Sequence, residues 1–274
     1  MTRRTVLAGL AGLVAPAITG CAGRQPSVQH SLVARSAARP AGGLDAVIDL
    51  SHQVEVTNFG LVRRSNILAV IHKASEGGDW FDPTYGERRP EAEAAGLLWG
   101  AYHFGTHQYP GEQQAAAFLE AARPGPTTLM ALDLEPNDRR PANTMDLGQA
   151  EAFVRTVYRA TGRLPIVYTH PSWANGEPYG RSGITLGRAI TAASILARCE
   201  LWLVDYRDQP ELPLAWTGRG WRLWQYAGDD EGYGGGSRSA LCQAVAGVDH
   251  CDRNLFAGGA PALYQFWKGR AVGV

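Results

Sequence analysis

Residues 130–137 read Met-Ala-Leu-Asp-Leu-Glu-Pro-Asn, so an apolar run ends in two carboxylates at alternate positions. Alternate residues of a β-strand share a face, which predicts that Asp133 and Glu135 point the same way. Pro136 lacks a donor N–H, which fits a strand that ends there. Neighbouring carboxylates raise each other's pKa, so one can stay protonated at neutral pH and act as an acid. The stretch predicts a catalytic pair, with a cation site or a helix cap as the alternatives.

Apolar runs of strand length recur along the rest of the chain, and helical stretches separate several of them. This alternation predicts a parallel sheet covered by helices on its outer side. About eight strands in roughly 230 residues fit a single (β/α) TIM-like barrel of the α/β class. The predicted strands are Leu44–Ser51, Ile67–Ala74, Leu97–Phe104, Thr128–Glu135, Leu164–Thr169, Leu201–Tyr206, Trp221–Tyr226 and Asp249–Phe256. The predicted helices are Glu87–Ala95, Glu112–Ala122 and Leu147–Ala160, the last with Leu147, Ala150, Phe153, Val154, Val157 and Tyr158 on one face.

Active sites of such barrels lie where strands end and loops begin, and every predicted strand has polar residues near that point. We therefore expect one mouth that gathers Asp49, His72, Lys73, Tyr102, His103, Asp133, Glu135, Tyr168, His170, Asp205, Tyr206, Gln225 and Asp252. Aromatic rings there suit a sugar, whose C–H faces stack on them. Tyr102, Tyr168 and Trp224 are the predicted sugar contacts, whereas Trp202 and Tyr226 are predicted to pack in the core or in loops.

The N-terminus has the pattern of an export signal. A twin arginine at residues 3–4 precedes an apolar run, Val6–Ile18, which is too short for a permanent membrane span. The run closes on Ile-Thr-Gly-Cys at residues 18–21, which resembles the lipobox of bacterial lipoproteins with Cys21 as the lipidated residue. A plain secretory signal with a chance cysteine is the alternative. The predicted organisation is a signal peptide with lipobox at 1–21, a flexible tether at 22–43 and a catalytic barrel at 44–274.

Composition narrows the choice of partner. The 274 residues carry 26 basic and 26 acidic side chains, so neither a nucleic-acid partner nor an acidic tail is predicted. If Cys21 carries lipid, Cys199, Cys242 and Cys251 remain, and a Cys242–Cys251 disulfide is the simplest of the pairings that the sequence leaves open. The spacing of the cysteines matches no zinc motif.

Six motifs resemble, in the same order, those of glycoside hydrolase family 25, the muramidases or lysozymes. The resemblance runs from about residue 44 to about residue 257. The motifs are Ile-Asp-Leu-Ser-His-Gln at 48–53, His-Lys-Ala-Ser-Glu-Gly at 72–77 with Phe-Asp-Pro at 81–83, Ala-Ala-Gly-Leu at 94–97 with Gly-Ala-Tyr-His-Phe at 100–104, Leu-Asp-Leu-Glu at 132–135, Leu-Trp-Gln-Tyr at 223–226 and Cys-Asp-Arg-Asn-Leu-Phe at 251–256.

The resemblance implies cleavage of the β-1,4 bond between N-acetylmuramic acid and N-acetylglucosamine, without a cofactor. Glu135 corresponds to the general acid and Asp133 to the partner that orients the 2-acetamido group. Asp49 and Asp252 correspond to two further acids of the mouth, with Asp249 as the competitor for the last position. The residues that correspond to the lining of the saccharide groove are Lys73, Tyr102, Phe104, Tyr168 and Trp224.

The remaining expectations concern the stereochemistry, one histidine, the function class and the oligomeric state. Retention with substrate assistance is expected, with inversion as the alternative. His103 is predicted to face away from the groove and pack. A metal-dependent hydrolase, suggested by the histidines beside acids, and a barrel that grips peptidoglycan without cutting it are the competing function classes. A monomer that contacts the membrane only through lipid on Cys21 is expected.

Overall fold

Eight strands close into a barrel in the computed structural model, which describes residues 42–180, 182–228 and 245–268. Strand β1 pairs with both β2 and β9, which joins the two ends of the sheet, and the predicted barrel is thereby confirmed. A ninth strand, β3 (Trp80–Phe81), pairs only with β2 as a short hairpin. The barrel strands are β1 (Leu44–Leu50), β2 (Ala69–Glu76), β4 (Leu98–Phe104), β5 (Leu129–Asp133), β6 (Ile166–Thr169), β7 (Leu201–Val204), β8 (Leu223–Ala227) and β9 (Asp252–Phe256).

The direction of the last strand differs from the expected parallel sheet. Strands β1, β2 and β4 to β8 pair in parallel, but β9 runs antiparallel to both of its neighbours, β1 and β8. Its first residue, Asp252, therefore lies opposite Asp49 near the end of β1. Because of this reversal, the amino end of β9 shares a mouth with the carboxyl ends of the other seven strands.

Helices cover the outside of the barrel. They are α1 (Phe59–Arg64), α2 (Tyr85–Ala94), α3 (Gly111–Ala122), α4 (Leu147–Thr161), α5 (Pro171–Ala174) and α6 (Ala260–Lys268), and short 3₁₀ turns lie at Pro141–Asn143, Ile195–Arg198 and Leu214–Trp216. The three predicted helices correspond to α2, α3 and α4. A capping box between Asp146 and Gln149 starts α4, and Gly162 ends it in the left-handed conformation. The predicted apolar face of α4 is buried except at Tyr158, which is 40% exposed.

The apolar core has an inner and an outer part. The inner part fills the lower barrel, and helix α6 covers the end where the parallel strands begin. Trp267 of α6 is fully buried there, and its indole nitrogen donates to the backbone oxygen of Trp99 at 2.9 Å. The outer part lies between the strands and the helices. In the described part of the chain, no helix has the length and apolar character needed to cross a membrane.

Candidate active site

The four predicted acids meet at the mouth of the barrel. Strand β5 ends at Asp133, two residues earlier than predicted, but the amide of Leu134 still donates to the carbonyl of Tyr168 at 3.0 Å. Glu135 consequently points the same way as Asp133. A deep pocket of about 100 Å³ is lined by all four acids, and a groove of about 730 Å³ shares those acids and continues from it. The predicted convergence of Asp49, Asp133, Glu135 and Asp252 is therefore what the structure shows.

Gln225 joins two of these acids to two tyrosines. Its side-chain nitrogen donates to both carboxylate oxygens of Asp49 at 3.1 Å and to Oδ2 of Asp252 at 3.3 Å. Its side-chain oxygen accepts the hydroxyl protons of Tyr168 at 2.9 Å and of Tyr206 at 3.0 Å. Five polar groups from five strands or strand ends thus form one network on the wall of the pocket.

A second amide supports Asp49 from below. The side-chain nitrogen of Asn254 donates to Oδ2 of Asp49 at 2.7 Å, and the indole of Trp202 donates to the side-chain oxygen of Asn254 at 2.6 Å. Asn254 is fully buried on β9, two residues after Asp252 and on the same face of the strand. The buried carboxylate of Asp49 is therefore held only by neutral N–H donors among the hydrogen bonds described here.

Burial affects the protonation of these acids. It raises the pKa of Asp49 to about 6, although the hydrogen bonds from Asn254 and Gln225 act in the opposite direction. The pKa of Asp133 is raised well above its ordinary value, first by burial and then by the negative charge of Glu135. Oδ1 of Asp133 is buried without a hydrogen-bond partner. Burial and the charge of Glu135 therefore both favour the neutral form of Asp133, whose unsatisfied buried oxygen belongs to the lining of the pocket.

Four of the five predicted groove residues line the cavities. Tyr102 lines both cavities, and burial together with the surrounding acids raises its pKa, so its hydroxyl stays neutral. Lys73 pairs with Glu76 at 2.6 Å and lies 4.9 Å from the ring centroid of Phe104, and all three line the groove. Tyr168 lines the deep pocket.

Trp224, the fifth predicted groove residue, lies elsewhere. It is 1% exposed, packs in the outer core and donates to the backbone oxygen of Asp205 at 2.6 Å. Since Gln225 points into the barrel, its neighbour on the strand must point outward. The aromatic wall of the pocket is instead formed by Trp202, whose ring lies 4.8 Å from that of Tyr168, and by Tyr206. Applying strand alternation to β7 and β8 would have predicted this exchange from the sequence.

The choice between Asp252 and Asp249 follows from their surroundings. Asp249 is exposed, and its side chain accepts hydrogen bonds from the backbone amides of Glu55 at 2.9 Å and His250 at 2.8 Å. It therefore stabilises the contact between two loops. Asp252 lines both the pocket and the groove. The geometry therefore favours Asp252 as the fourth acid.

The histidines beside the acids have other surroundings. His103 is buried outside the barrel, stacks on Phe153 at 4.9 Å and contacts the side chains of Ser75 and Gln114, which is the packing position expected for it. His72 also faces outward and stacks on Trp99 at 5.6 Å. Across residues 42–180, 182–228 and 245–268, no cluster of three or more His, Cys, Asp or Glu side chains is arranged to hold a metal ion.

The remaining cysteine predictions fall partly outside the described residues. Cys199 and Cys251 are buried. Cys242, the predicted partner of Cys251, and Cys21, the predicted lipidation site, lie outside the described residues, as do the signal peptide and nearly all of the tether.

Carboxyl groups gathered at the mouth of a barrel, beside a groove, are the arrangement expected of a glycoside hydrolase, which cleaves its substrate with Asp and Glu side chains. Residues 48–234 match the family described as Glycosyl hydrolases family 25, and the chain belongs to that family. It is therefore a glycoside hydrolase. This membership favours catalysis by carboxyl groups over the metal-dependent alternative.

Individual relatives agree with the family assignment. Lysozyme M1 of Streptomyces globisporus is 28% identical over 230 residues, which cover 79% of this chain and 69% of that protein. The N,O-diacetylmuramidase of Chalaropsis sp is 29% identical over 141 residues, 46% of this chain and 65% of that protein. The muramidase of Trichobolus zukalii superposes with a TM-score of 0.62 at 25% identity, covering 81% of this chain and 98% of its own. A bacterial lysozyme from Streptomyces coelicolor shares the fold, with a TM-score of 0.67 at 24% identity over 84% of this chain and 100% of its own.

Proposed function

We propose that this protein is a peptidoglycan hydrolase, a lysozyme that cleaves the β-1,4 bond between N-acetylmuramic acid and N-acetylglucosamine. The observation that carries the proposal is the convergence of four carboxyl groups on one pocket that adjoins a groove of about 730 Å³. The names of the lysozyme and muramidase relatives supply the substrate class. A groove of this volume beside the pocket suits a polymer, since a glycan strand must extend beyond the bond that is cut.

Glu135 is proposed as the general acid. Cleavage requires a proton for the leaving oxygen while positive charge develops at the anomeric carbon. Glu135 is partly exposed and lines both cavities, so it can reach a glycosidic oxygen in the groove. Asp133 lies deeper, and its unpartnered Oδ1 is suited to accept the N–H of a 2-acetamido group. Asp49 and Asp252 are proposed to supply negative potential opposite the developing positive charge.

The groove residues are proposed to hold the sugar rings. Tyr102, Phe104 and Tyr168 offer aromatic faces or edges, and Lys73 offers a cation that Glu76 holds in place. Trp202 replaces Trp224 in this role because it is the tryptophan that lines the pocket.

We further propose retention of configuration with substrate assistance, in which the acetamido oxygen attacks the anomeric carbon. The position of Asp133 supports this pathway, because a carboxyl group beside the acetamide can orient it for the attack. Proton NMR of the first product formed distinguishes the outcomes: a β-anomer is expected, and an initial α-anomer would establish inversion.

Export and anchoring are proposed from the sequence alone. The protein is expected to reach the cell envelope through its signal peptide, by the twin-arginine route, and to be held there by lipid on Cys21 as a monomer. Metabolic labelling with a fatty-acid probe tests the anchor: the wild type should be labelled and Cys21→Ala should not. Labelling of both proteins, or of neither, would contradict the proposal that Cys21 carries lipid.

Product analysis tests the proposed cleavage. Purified sacculi are digested, the products are reduced with borohydride, and the newly reduced sugar is identified by mass spectrometry. Muraminitol at the new ends is the expected result. Glucosaminitol would assign the other glycosidic bond, and binding to sacculi without release of reducing ends would favour the non-catalytic alternative.

A further inference from the structure

The side chain of Gln225 has a fixed orientation inside the network. It is 2% exposed, with two tyrosine hydroxyls on one side and two carboxyl groups on the other. A carboxylate only accepts hydrogen bonds, so the amide nitrogen must face Asp49 and Asp252. The amide oxygen then accepts from Tyr168 and Tyr206. Any 180° flip of the amide would place oxygen against carboxylate oxygen.

We propose that Gln225 is a positioning residue whose amide nitrogen holds the carboxyl groups of Asp49 and Asp252 side by side as hydrogen-bond acceptors, while the two tyrosine hydroxyls hold the amide. This inference rests on the proposed function, since it gives Gln225 a role through the two acids rather than on the sugar. Its side chain contacts Asp49 and Asp252 from β8, the strand that lies next to β9 in the barrel.

The need for such a residue follows from the charges around Asp49. Among the residues described, no Lys, Arg or His lines the deep pocket. The groups that face Asp49 there come from β4, β5, β6, β8, β9 and the end of β7, namely Tyr102, Asp133, Glu135, Tyr168, Gln225, Asp252 and Tyr206. Lys73 on β2, which lines the adjoining groove, is paired with Glu76. The hydrogen bonds described for the Asp49 carboxylate therefore all come from neutral N–H donors, on Gln225 and Asn254.

Loss of the Gln225 amide is expected to raise the pKa of Asp49. Burial already raises the pKa of Asp49 to about 6, and the amides of Asn254 and Gln225 lower it. Removing the amide of Gln225 removes one of these opposing contributions, so Asp49 takes up a proton at a higher pH. Loss of a hydrogen bond to a buried charge corresponds to a shift of roughly one to two pH units. At pH 7 the variant enzyme would then carry the negative charge of Asp49 in only about a tenth to a half of its molecules.

Three variants and one control test the proposal. Gln225→Met keeps the volume and removes the donor, whereas Gln225→Glu keeps the shape and adds a third acid. Tyr206→Phe is milder, because it removes one of the two hydroxyls that orient the amide. The control, Tyr226→Phe, removes a hydroxyl from the same strand on its outer face, where it donates to Asp45 at 2.9 Å. Circular dichroism and thermal unfolding establish that each variant is folded.

The first readout is the titration of the Asp49 carboxyl carbon by NMR in the free enzyme. The pKa of Asp49 is expected to increase in the order wild type, Tyr206→Phe, Gln225→Met, Gln225→Glu, with Tyr226→Phe equal to the wild type. The second readout is the pH profile of kcat/KM. In each variant, its acidic limb should move to higher pH by as much as the pKa of Asp49 measured by NMR in that variant. A roughly 2–10-fold fall in kcat with little change in KM is expected for Gln225→Met at pH 7, since the ionised fraction of Asp49 falls by about that factor.

An unchanged titration of Asp49 in the folded Gln225→Met, Gln225→Glu and Tyr206→Phe proteins would overturn the proposal. So would a loss of activity with an unmoved acidic limb, because a merely structural role lowers activity without shifting the profile. The NMR titration needs no substrate. If the wild type failed to cut peptidoglycan, the proposed function would fall while the positioning role of Gln225 would still be decided.

Discussion

At the scale of single residues, the acids of the pocket differ mainly in their hydrogen bonds. Asp49 is surrounded by donors from Gln225 and Asn254, whereas one oxygen of Asp133 is buried without a partner. The more buried member of the Asp133–Glu135 pair thus favours the neutral form, and Glu135 is left open to the groove. These different surroundings therefore allow chemically similar carboxyl groups to have different roles.

The raised pKa of Asp49 predicts a stability effect. Between its ordinary value of 3.8 and about 6, the folded protein binds more protons at Asp49 than the unfolded chain does, so stability decreases as the pH rises through this window. Asp49→Asn lacks this penalty. Its free energy of unfolding relative to the wild type should therefore increase by on the order of 2–3 kcal/mol from pH 4 to pH 7.

Denaturant unfolding of both proteins at several pH values measures this difference. The slope with pH is the test, because a constant offset reflects altered hydrogen bonding to Gln225. His72 and His103, whose pKa values burial lowers to about 4 and about 3, are common to both proteins and cancel. Parallel stability curves would show that Asp49 titrates normally in the folded protein.

At residue level, the sequence predicted that the four acids converge, but it did not predict which tryptophan lines the pocket. The positions of Asp133 and Glu135 follow from strand alternation alone. Trp224 was predicted as a sugar contact and Trp202 as a packing residue, whereas strand alternation places Trp202 in the pocket and Trp224 in the outer core. Asn254 gave no signal of its own, since a buried amide is recognised only when its acceptor, Asp49, is known to lie beside it.

At the scale of elements, the antiparallel β9 is what brings Asp252 to the mouth. An apolar run does not encode its direction, so the sequence predicted the strand but not the reversal. The pairing of β9 with β1 also buries an ion pair, in which Arg253 lies 2.6 Å from Asp45 and both side chains are less than 5% exposed. The hydroxyl of Tyr226 donates to the same carboxylate.

Removing one partner of this ion pair should destabilise the barrel closure. Arg253→Met leaves the buried charge of Asp45 without its cation and is expected to cost about 3–5 kcal/mol of unfolding free energy. Denaturant unfolding measures the loss. The control is Arg155→Ala, which breaks an exposed pair with Glu151 and should cost less than about 1 kcal/mol. Equal effects of the two substitutions would mean that the Arg253 pair contributes no more than a surface contact.

At the scale of the whole molecule, the barrel is divided along its axis. Apolar side chains and helix α6 fill the lower part, and the acids occupy the upper part. The barrel and its mouth could be predicted because strand length, helix periodicity and polar strand ends all agreed. The seal at the lower end was not predicted, because the apolar residues of α6 lie beyond the last strand and resemble any amphipathic helix.

The seal predicts a large effect far from the site. Trp267→Ala should lower the free energy of unfolding by about 3–5 kcal/mol, since it removes a fully buried ring and its hydrogen bond to Trp99. Thermal and denaturant unfolding measure it. Leu214→Ala, at a side chain that is 69% exposed, is the control and should change stability by less than about 0.5 kcal/mol. A Trp267 variant as stable as this control would show that α6 does not support the barrel.

The release of reducing ends from purified sacculi, compared between the wild type and Glu135→Gln, tests the central claim most directly. The wild type should release reducing ends steadily. Glu135→Gln should be slower by about 10²–10⁴-fold, with unchanged thermal stability, because the amide cannot donate the required proton. Glu87→Gln, at an exposed glutamate of α2, should match the wild type. A Glu135→Gln protein that kept most of the wild-type rate would contradict the assignment of Glu135 as the acid.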